Sequence, residues 1–488
     1  MMRTRRPIVC LAFTFLLAAL VAAQDTATEA RGGNAASDGT ANEAPDDISL
    51  MLGRPAAHSV TLSVLSTIPG QACAEYGVEH GTEDHSTEQF ALPAATPVEV
   101  RLDGLQPDTR YTYRLRWRAE GETAFTDGGG HSFHTGRPPG SAFTFALQGD
   151  SHPERKQQFD PALYAQTLSA VAGQRPDFYL TIGDDFSVDT LRTVTREAVE
   201  SIYLNQRRLL GLVGCTAPVF LVNGNHEQAA RYNLDGTADN MAVWAQNCRN
   251  RYFPQPAPDD FYTGDLEPVE HIGLLRDYYA WTWGDALFVV IDPYWHSPQP
   301  VDNVHGSREK GARDLWDATL GDEQYRWLAQ TLEQSRAAYT FVFAHHVLGT
   351  GRGGIETAGL YEWGGHDRRG ADLFAIKRPT WPMPIHQLMA RNGVTIFFQG
   401  HDHLFAHQVL DGVVYQTLPQ PADPNYALNN VQAYRSGETR PNSGYVSVSV
   451  GSERVKVEYV REYLPEDEAG DRRSGEVAFS YTVPANDL

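Results

Sequence analysis

The chain has 488 residues, 41 % of them hydrophobic, and a formal charge of −21 at neutral pH. That length and apolar content supply more than one core, and the acidic balance excludes a surface built to hold a nucleic-acid polymer or an anionic membrane. A phosphorylated substrate stays open, because bound cations dominate the field where they sit.

Residues 1–23 read as an export signal: Arg3, Arg5 and Arg6 precede an apolar run from Ile8 to Leu20 and a small-residue cleavage site at Val21-Ala22-Ala23. The run is too short for a comfortable membrane span, and Cys10 lies inside it rather than after it. The expectation is a secreted or periplasmic protein without a stable membrane anchor. Thr4-Arg5-Arg6-Pro7-Ile8-Val9 also resembles the twin-arginine signal that exports folded proteins. Residues 24–48 are small, polar and acidic, with too little apolar area to offset chain entropy, and read as a disordered linker. Cys73, Cys215 and Cys248 follow the signal; an odd three is no disulfide framework, and either one Cys215–Cys248 bridge or three buried thiols fits.

From 49 to 137 the pattern is that of strands: Ser59 to Leu65, Ala74 to Val78, Val98 to Leu102, Tyr111 to Arg118 and His131 to Thr135, joined by Gly, Pro and Asp. Five to seven short strands in under a hundred residues predict a β-sandwich of immunoglobulin type. Leu105-Gln106-Pro107-Asp108-Thr109-Arg110-Tyr111 resembles the tyrosine corner of fibronectin type III domains, in which the Tyr hydroxyl bonds back to the backbone. Gly136-Arg137-Pro138-Pro139-Gly140 marks the boundary, since the prolines stop either flanking element from running on.

Between 141 and 484 strands alternate with helices, an α/β pattern. Leu163 to Val171, Val194 to Leu204 and Gln324 to Leu332 have helical spacing. Segments 228–275 and 349–384 are long, rich in glycine and aromatics, and are expected to cap a cleft. Gly444 to Val450, Val455 to Val460 and Val477 to Tyr481 are predicted to complete a second sheet. Five apolar runs end in polar residues of one chemical kind. Thr144 to Ala146 lead to Asp150-Ser151-His152, Phe178 to Ile182 to Gly183-Asp184-Asp185, and Phe220 to Val222 to Asn223-Gly224-Asn225-His226-Glu227. Phe341 to Ala344 lead to His345-His346, and Thr395 to Phe398 to Gly400-His401-Asp402-His403. In open α/β sheets, ligands bind where such strand ends converge.

A phosphate ester is protected by its own charge, so a catalyst must neutralise that charge and supply hydroxide near pH 7; two adjacent metals do both. Carboxylate, amide and imidazole donors suit such a pair. The five blocks, in this order, resemble the signature of the calcineurin-like metallophosphoesterases, over residues 141 to about 410. The resemblance implies a two-sheet β-sandwich flanked by helices and a metal-dependent phosphoric ester hydrolase that cleaves mono- or diesters by attack of a metal-bound hydroxide. Transferred residue by residue, it implies that Asp150, His152 and His403 bind one ion, that Asn225, His345 and His401 bind the other, and that Asp184 bridges them. His226 would then stabilise the transition state or protonate the leaving group. The ions would be divalent or mixed-valence Fe, Mn or Zn, and the partner a small phosphate ester.

In the related purple acid phosphatases a tyrosine three residues after the bridging Asp binds ferric iron; here that position is Ser187, so no tyrosinate colour is expected. His346 is expected beside the ligands rather than among them. Asp185, Asp189 and Asp402 are either turn carboxylates or supports behind the ligands, with solvated loop charges the preferred reading, and Arg352 and His366 could reach a substrate phosphate, with surface-loop residues preferred. Two alternatives stay open. A nucleotide pyrophosphatase or nucleotidase would need an aromatic clamp, for which Tyr361, Trp363 and Trp381 are candidates. A non-catalytic metal-containing binding protein would need none.

Overall fold

The structure is a computed structural model and describes residues 47–82, 84–301, 314–348 and 351–486. The expected export signal, the linker as far as residue 46, and residues 349 and 350 of the second long connection lie outside the described residues.

The first strands form two antiparallel sheets. Ile48–Gly53, Ser59–Ser66 and Val98–Asp103 make one. Gly70–Val78 and Arg110–Ala119 make the centre of the other, with Thr126–His134 beyond and the short Phe90–Leu92 and His85–Ser86 along its edge. In Arg110–Ala119 the residues Tyr111, Tyr113, Leu115 and Trp117 are buried while their neighbours stay half-exposed, the period of two that a strand wet on one face requires. Their partners in the core include Leu62, Val64, Leu102 and Phe133. The Gln106 N–H donates to the Tyr111 hydroxyl at 2.9 Å, tying the turn to the strand that follows it.

Ile48–Gly53 has no counterpart among the predicted strands, and it is buried on both faces. Leu50 and Leu52 point into the sandwich core, whereas Met51 joins the core beneath the first helices. Gly214, on the helix Arg196–Gly214, lies so close that a Cβ there would sit 2.3 Å from the Met51 sulfur.

The remaining strands build two larger sheets. In the six-stranded one, Phe143–Gln148 pairs in parallel with Tyr179–Thr181, which pairs in parallel with Val219–Leu221. On its other side Phe143–Gln148 runs antiparallel to Gly444–Val450, followed by Arg454–Arg461 and Glu476–Pro484. The eight-stranded sheet has Ala286–Val290, Tyr339–Phe343, Ile396–Gln399 and Val413–Thr417 in parallel at its centre. Between the sheets lies an aromatic core of Phe145, Phe178, Trp281, Phe288, Phe341 and Phe398. Ring pairs such as Phe145–Phe288 meet edge to face at 5.2 Å, a geometry that adds specific attraction to the burial of large rings.

Helices cover the outer faces. Helix α1 (Pro161–Gln174) starts on Asp160, whose carboxylate accepts from the N–H groups of Ala162 and Leu163, with a proline in the first turn. Helix α2 (Arg196–Gly214) starts on Thr195 in the same way. Helix α3 (Met241–Tyr252) lies inside the 228–275 segment read from sequence as one long connection, and α4 (Gly321–Gln334) covers the eight-stranded sheet. Covered on both sides, the central strands are buried end to end, so the polar residues after their last positions converge at one edge.

Candidate metal centre

Asp150 and His152 follow Phe143–Gln148, Asp184 follows Tyr179–Thr181, and Asn225 and His226 follow Val219–Leu221. From the other sheet come His345, after Tyr339–Phe343, and His401 and His403, after Ile396–Gln399. All eight side chains are buried except His226, which is 11 % exposed. His403 Nε2 lies 3.1 Å and His152 Nε2 3.6 Å from Asp150 Oδ2. Asp184 Oδ2 lies 3.1 Å from His345 Nε2 and 3.6 Å from His152 Nε2, and His345 Nε2 is 3.1 Å from His401 Nδ1. Asp150, His152 and His403 thus form one triad, Asp184, His345 and His401 a second, and Asp184 reaches toward both. Asn225 sits between two contacts with Asp184: its neighbour Gly224 leaves no room for a Cβ against Oδ1, and the His226 N–H donates to that oxygen at 2.9 Å.

These separations suit cations. Two ligands held about 2.1 Å from one ion, at tetrahedral or octahedral angles, stand roughly 3.0–3.5 Å apart. Asp150 Oδ2, His152 Nε2 and both amide atoms of Asn225 are enclosed without a hydrogen-bond partner, which buried polar atoms in native folds seldom are. The donor set, oxygens with imidazole nitrogens, fits Mn, Fe or Zn.

Ring orientation and charge point the same way. The His345 Nδ1 proton is directed at the Ile182 carbonyl, 2.7 Å away, which turns Nε2 toward Asp184. Burial would raise the carboxyl of Asp184, yet His345 and His226 hold it well below the usual range, and His345 and His403 do the same for Asp150. Burial drives His403 down to about 3, leaving a neutral imidazole as a donor. The loops are held in uncommon conformations: His152, Asp184, His401 and His403 all have positive φ, between 46° and 67°. Such backbone persists only where surrounding contacts impose it. Gly183, at φ 90°, sits where a Cβ would lie 2.6 Å from the Gly224 nitrogen, so only glycine lets these two loops meet.

Several residues behave differently from their sequence reading. Asp185, Asp189 and Asp402 are buried, not solvated. Asp185 accepts from Ser151 Oγ at 2.6 Å and Gln148 Nε2 at 3.0 Å, and burial lifts it to about 7. Asp189 lies 2.8 Å from His226 Nδ1, while Arg155 donates to Nε2 of the same ring at 3.1 Å. Asp402 accepts from the Gly353 N–H and the Tyr434 hydroxyl, each at 2.7 Å. Arg352 reaches the His401 carbonyl and so borders the site, whereas His366 is exposed as expected. Glu227, given no role from sequence, accepts from the N–H groups of Gly224 at 2.7 Å and Asp185 at 2.8 Å, fastening two donor loops together. Glu154 lies 2.9 Å from His152 Nδ1, and Tyr294 2.8 Å from His346 Nδ1. Nothing in the local sequence of Asp189 or Tyr294 marks these pairings, because each partner arrives from a different strand end; Glu154 lies two residues after His152 in the same loop.

Tyr361, Trp363 and Trp381 do not form a clamp. They are buried in the core beneath the eight-stranded sheet, where Trp363 donates to the Tyr415 hydroxyl and Trp381 stacks on Tyr325 at 3.8 Å. Cys73, Cys215 and Cys248 are free thiols, Cys248 buried and the other two partly so.

A family model for calcineurin-like phosphoesterases matches residues 143–405. No curated protein sequence matches the chain. Among solved structures, PhoD superposes with a TM-score of 0.61 at 14 % identity, over 90 % of this chain and 90 % of that one. The purple acid phosphatase PPD1 from yellow lupin (Lupinus luteus) seeds gives 0.56 at 15 % identity, over 89 % of this chain and 74 % of its own. At such identities the two structures speak for the fold alone. The family model spans more than half the chain, across the strands whose ends assemble the two triads; the chain belongs to the calcineurin-like phosphoesterases, metal-dependent hydrolases of phosphoric esters.

Proposed function

We propose that the chain is an exported phosphoesterase acting on small phosphate mono- or diesters, with Asp150, His152 and His403 holding one ion, Asn225, His345 and His401 the other, and Asp184 between them. The observation that carries this reading is the pair of triads meeting at Asp184, with enclosed donor atoms of Asp150, His152 and Asn225 left without protein partners. Bound there, two cations of the Fe, Mn or Zn class would polarise phosphoryl oxygens and bring the pKa of a water near 7.

The protein's own groups supply the rest. His226, at the rim, has Nδ1 fixed by Asp189 and Nε2 facing Arg155, 3.8 Å from Asp184 Oδ2. In this arrangement Nε2 accepts from Arg155; with Arg155 turned to a substrate oxygen and the ring protonated, Nε2 would deliver a proton to a leaving alkoxide, with Asp189 stabilising the imidazolium. Arg155 and Arg352, on either side, would meet the ester's remaining negative oxygens. Glu227 and the Asp185 network keep the donor loops in register as charge shifts during turnover.

Two further readings belong here. The back-bonded Tyr111 and the paired antiparallel sheets support a fibronectin type III-like module at 49–137 preceding the catalytic part at 141–484. Export is supported by the basic start and apolar run of residues 1–23. Among the described residues no helix is long and apolar enough to cross a membrane.

The test is to express residues 24–488, count metals by elemental analysis, and compare hydrolysis of a nitrophenyl monoester with that of the bis-nitrophenyl diester. Two equivalents of metal with metal-dependent release of nitrophenol are expected; fewer than one equivalent under saturating Mn and Zn removes the proposal.

A further inference from the structure

A second cluster of donors lies outside this centre. Asp265 stands in the turn between Thr263–Gly264 and Pro268–Val269, Asp277 just before Tyr279–Trp283, and His296 in the loop after Ala286–Val290. One donor atom from each lies within 4.8 Å of the other two. Asp277 is fully buried and Asp265 nearly so, while the His296 side chain keeps 20 % of its surface.

The arrangement is poorly explained as protein alone. Asp277 Oδ2 and His296 Nε2 are enclosed and 3.4 Å apart, an ion-pair contact too loosely aligned for a hydrogen bond, and neither atom has another hydrogen-bond partner among the described residues. That spacing is again the edge of a coordination shell with bonds of about 2.1 Å. Asp292, also buried, faces Asp277, so three carboxylates crowd around one imidazole. Both Asp292 oxygens are occupied, by the Asn223 amide at 2.6 Å and the Tyr294 N–H at 2.6 Å, whereas Asp265 and Asp277 each accept one backbone N–H on Oδ1, from Glu267 and Tyr278, and Asp277 keeps Oδ2 toward His296. No lysine or arginine among the described residues pairs with either. A single imidazolium would balance one of these charges and leave the others uncompensated in a buried place.

We propose that Asp265, Asp277 and His296 hold a further divalent cation, zinc by donor set, with water as its remaining ligand on the open side of His296. Two carboxylate oxygens and one imidazole nitrogen form a three-ligand zinc set. The ion would clamp the end of the 228–275 segment to the loop after Ala286–Val290. Through Asp292 and Asn223 it would also stiffen the loop that carries Asn225 and His226. Burial, with Asp277 as neighbour, lifts Asp265 to about 6, the crowding that a bound cation relieves.

The experiment uses the full chain carrying Asp150→Asn and Asp184→Asn, so that zinc in the phosphoesterase centre does not mask the count. After exposure to Zn²⁺ and gel filtration, this variant is expected to retain about one zinc per chain and to melt at a higher temperature with Zn²⁺ than with EDTA. Adding Asp277→Asn, or separately His296→Gln, should abolish both. The proposal is overturned if the first variant retains no zinc, or if its zinc survives both added substitutions. The count on the first variant stands even where an added substitution prevents folding.

Discussion

The strands of 48–134 and the strand ends that assemble the two triads use buried polar groups in opposite ways. At the tyrosine corner of the sandwich, buried polar atoms are matched by neighbours in the same sandwich: the Tyr111 hydroxyl accepts from Gln106, and Thr135 Oγ1 donates to the Gln106 carbonyl and accepts from the Thr109 N–H. At the strand ends of the larger sheets, carboxylates, imidazoles and an amide are gathered from five positions far apart in sequence, and part of their bonding capacity is left unmet. The tyrosine corner gains stability from satisfied bonds, although Trp117 Nε1 and His131 Nε2 elsewhere in the sandwich have no partner. The second region holds strained backbone and unmatched donors, which is tolerable only if something outside the chain completes it.

Breaking the second arrangement at its shared point gives the largest expected effect. On the proposed reading, Asp184→Asn removes the charge and the second oxygen that both triads depend on. Metal content should fall below one equivalent and hydrolysis to background, a loss of more than about 10⁴-fold. Two retained metals with near-normal turnover would remove Asp184 from its role. His226→Ala separates chemistry from binding: metal is retained while kcat falls roughly 10²–10⁴-fold, most for esters with poor leaving groups. Asp189→Asn sharpens this further. It leaves His226 in place without its anionic partner, so a drop of about 10–100-fold is expected, with the lower-activity limb of the pH profile shifted. An unchanged profile would make Asp189 a spectator.

The contrast also explains what was legible in the sequence. The sandwich could be read strand by strand because alternation is local; Tyr111, Tyr113, Leu115 and Trp117 announce their buried face within ten residues. Ile48–Gly53 escaped because it is buried on both sides, by the sandwich and by α2, and a doubly covered strand shows no alternation. Helix α3 escaped because its buried residues include Gln246 and Arg249, which satisfy the Leu275 and Leu221 carbonyls rather than forming an apolar stripe. In the candidate centre, residues at strand ends stood out by type and order. Their supporting carboxylates did not: Asp185, Asp189 and Asp402 look like turn formers in isolation, and only the packing of one loop on another shows that they are buried.

The two regions are joined, and the joint can be loosened without touching the centre. Arg207 on α2 is fully buried and donates to Ser63 Oγ at 3.1 Å, the Ser63 carbonyl at 2.9 Å and the Tyr252 carbonyl. Burial lowers it to about 9, so it remains charged at neutral pH. Arg207→Ala leaves those acceptors without a donor and should cost about 2–4 kcal/mol in chemical denaturation. Metal content and the kcat of the folded fraction should not change. A loss of metal would mean that the sandwich helps to hold the centre together.

The smallest effect concerns pH and belongs to the sandwich alone. His131 and His134 lie on the same strand, and burial lowers both below the ordinary 6.5, His134 in spite of the nearby Asp177. A histidine whose folded pKa is depressed binds fewer protons folded than unfolded, so stability rises with pH up to about the unfolded value and is lost as pH falls below it. In metal-free protein this contribution falls between pH 7.5 and pH 5.5, while His152 and His345, lifted to about 9 and about 10, and Asp185, lifted to about 7, contribute with the opposite sign, so the comparison is made between parent and variant. His131→Phe keeps the ring's packing against Tyr113, 5.4 Å between centroids, and removes one titrating group. The variant should lose less stability than the parent over that interval. An equal or greater loss would remove His131 as a source of the acid sensitivity; Asp150 and Asp184, depressed by their histidine neighbours, contribute equally at both pH values and lose stability only in stronger acid.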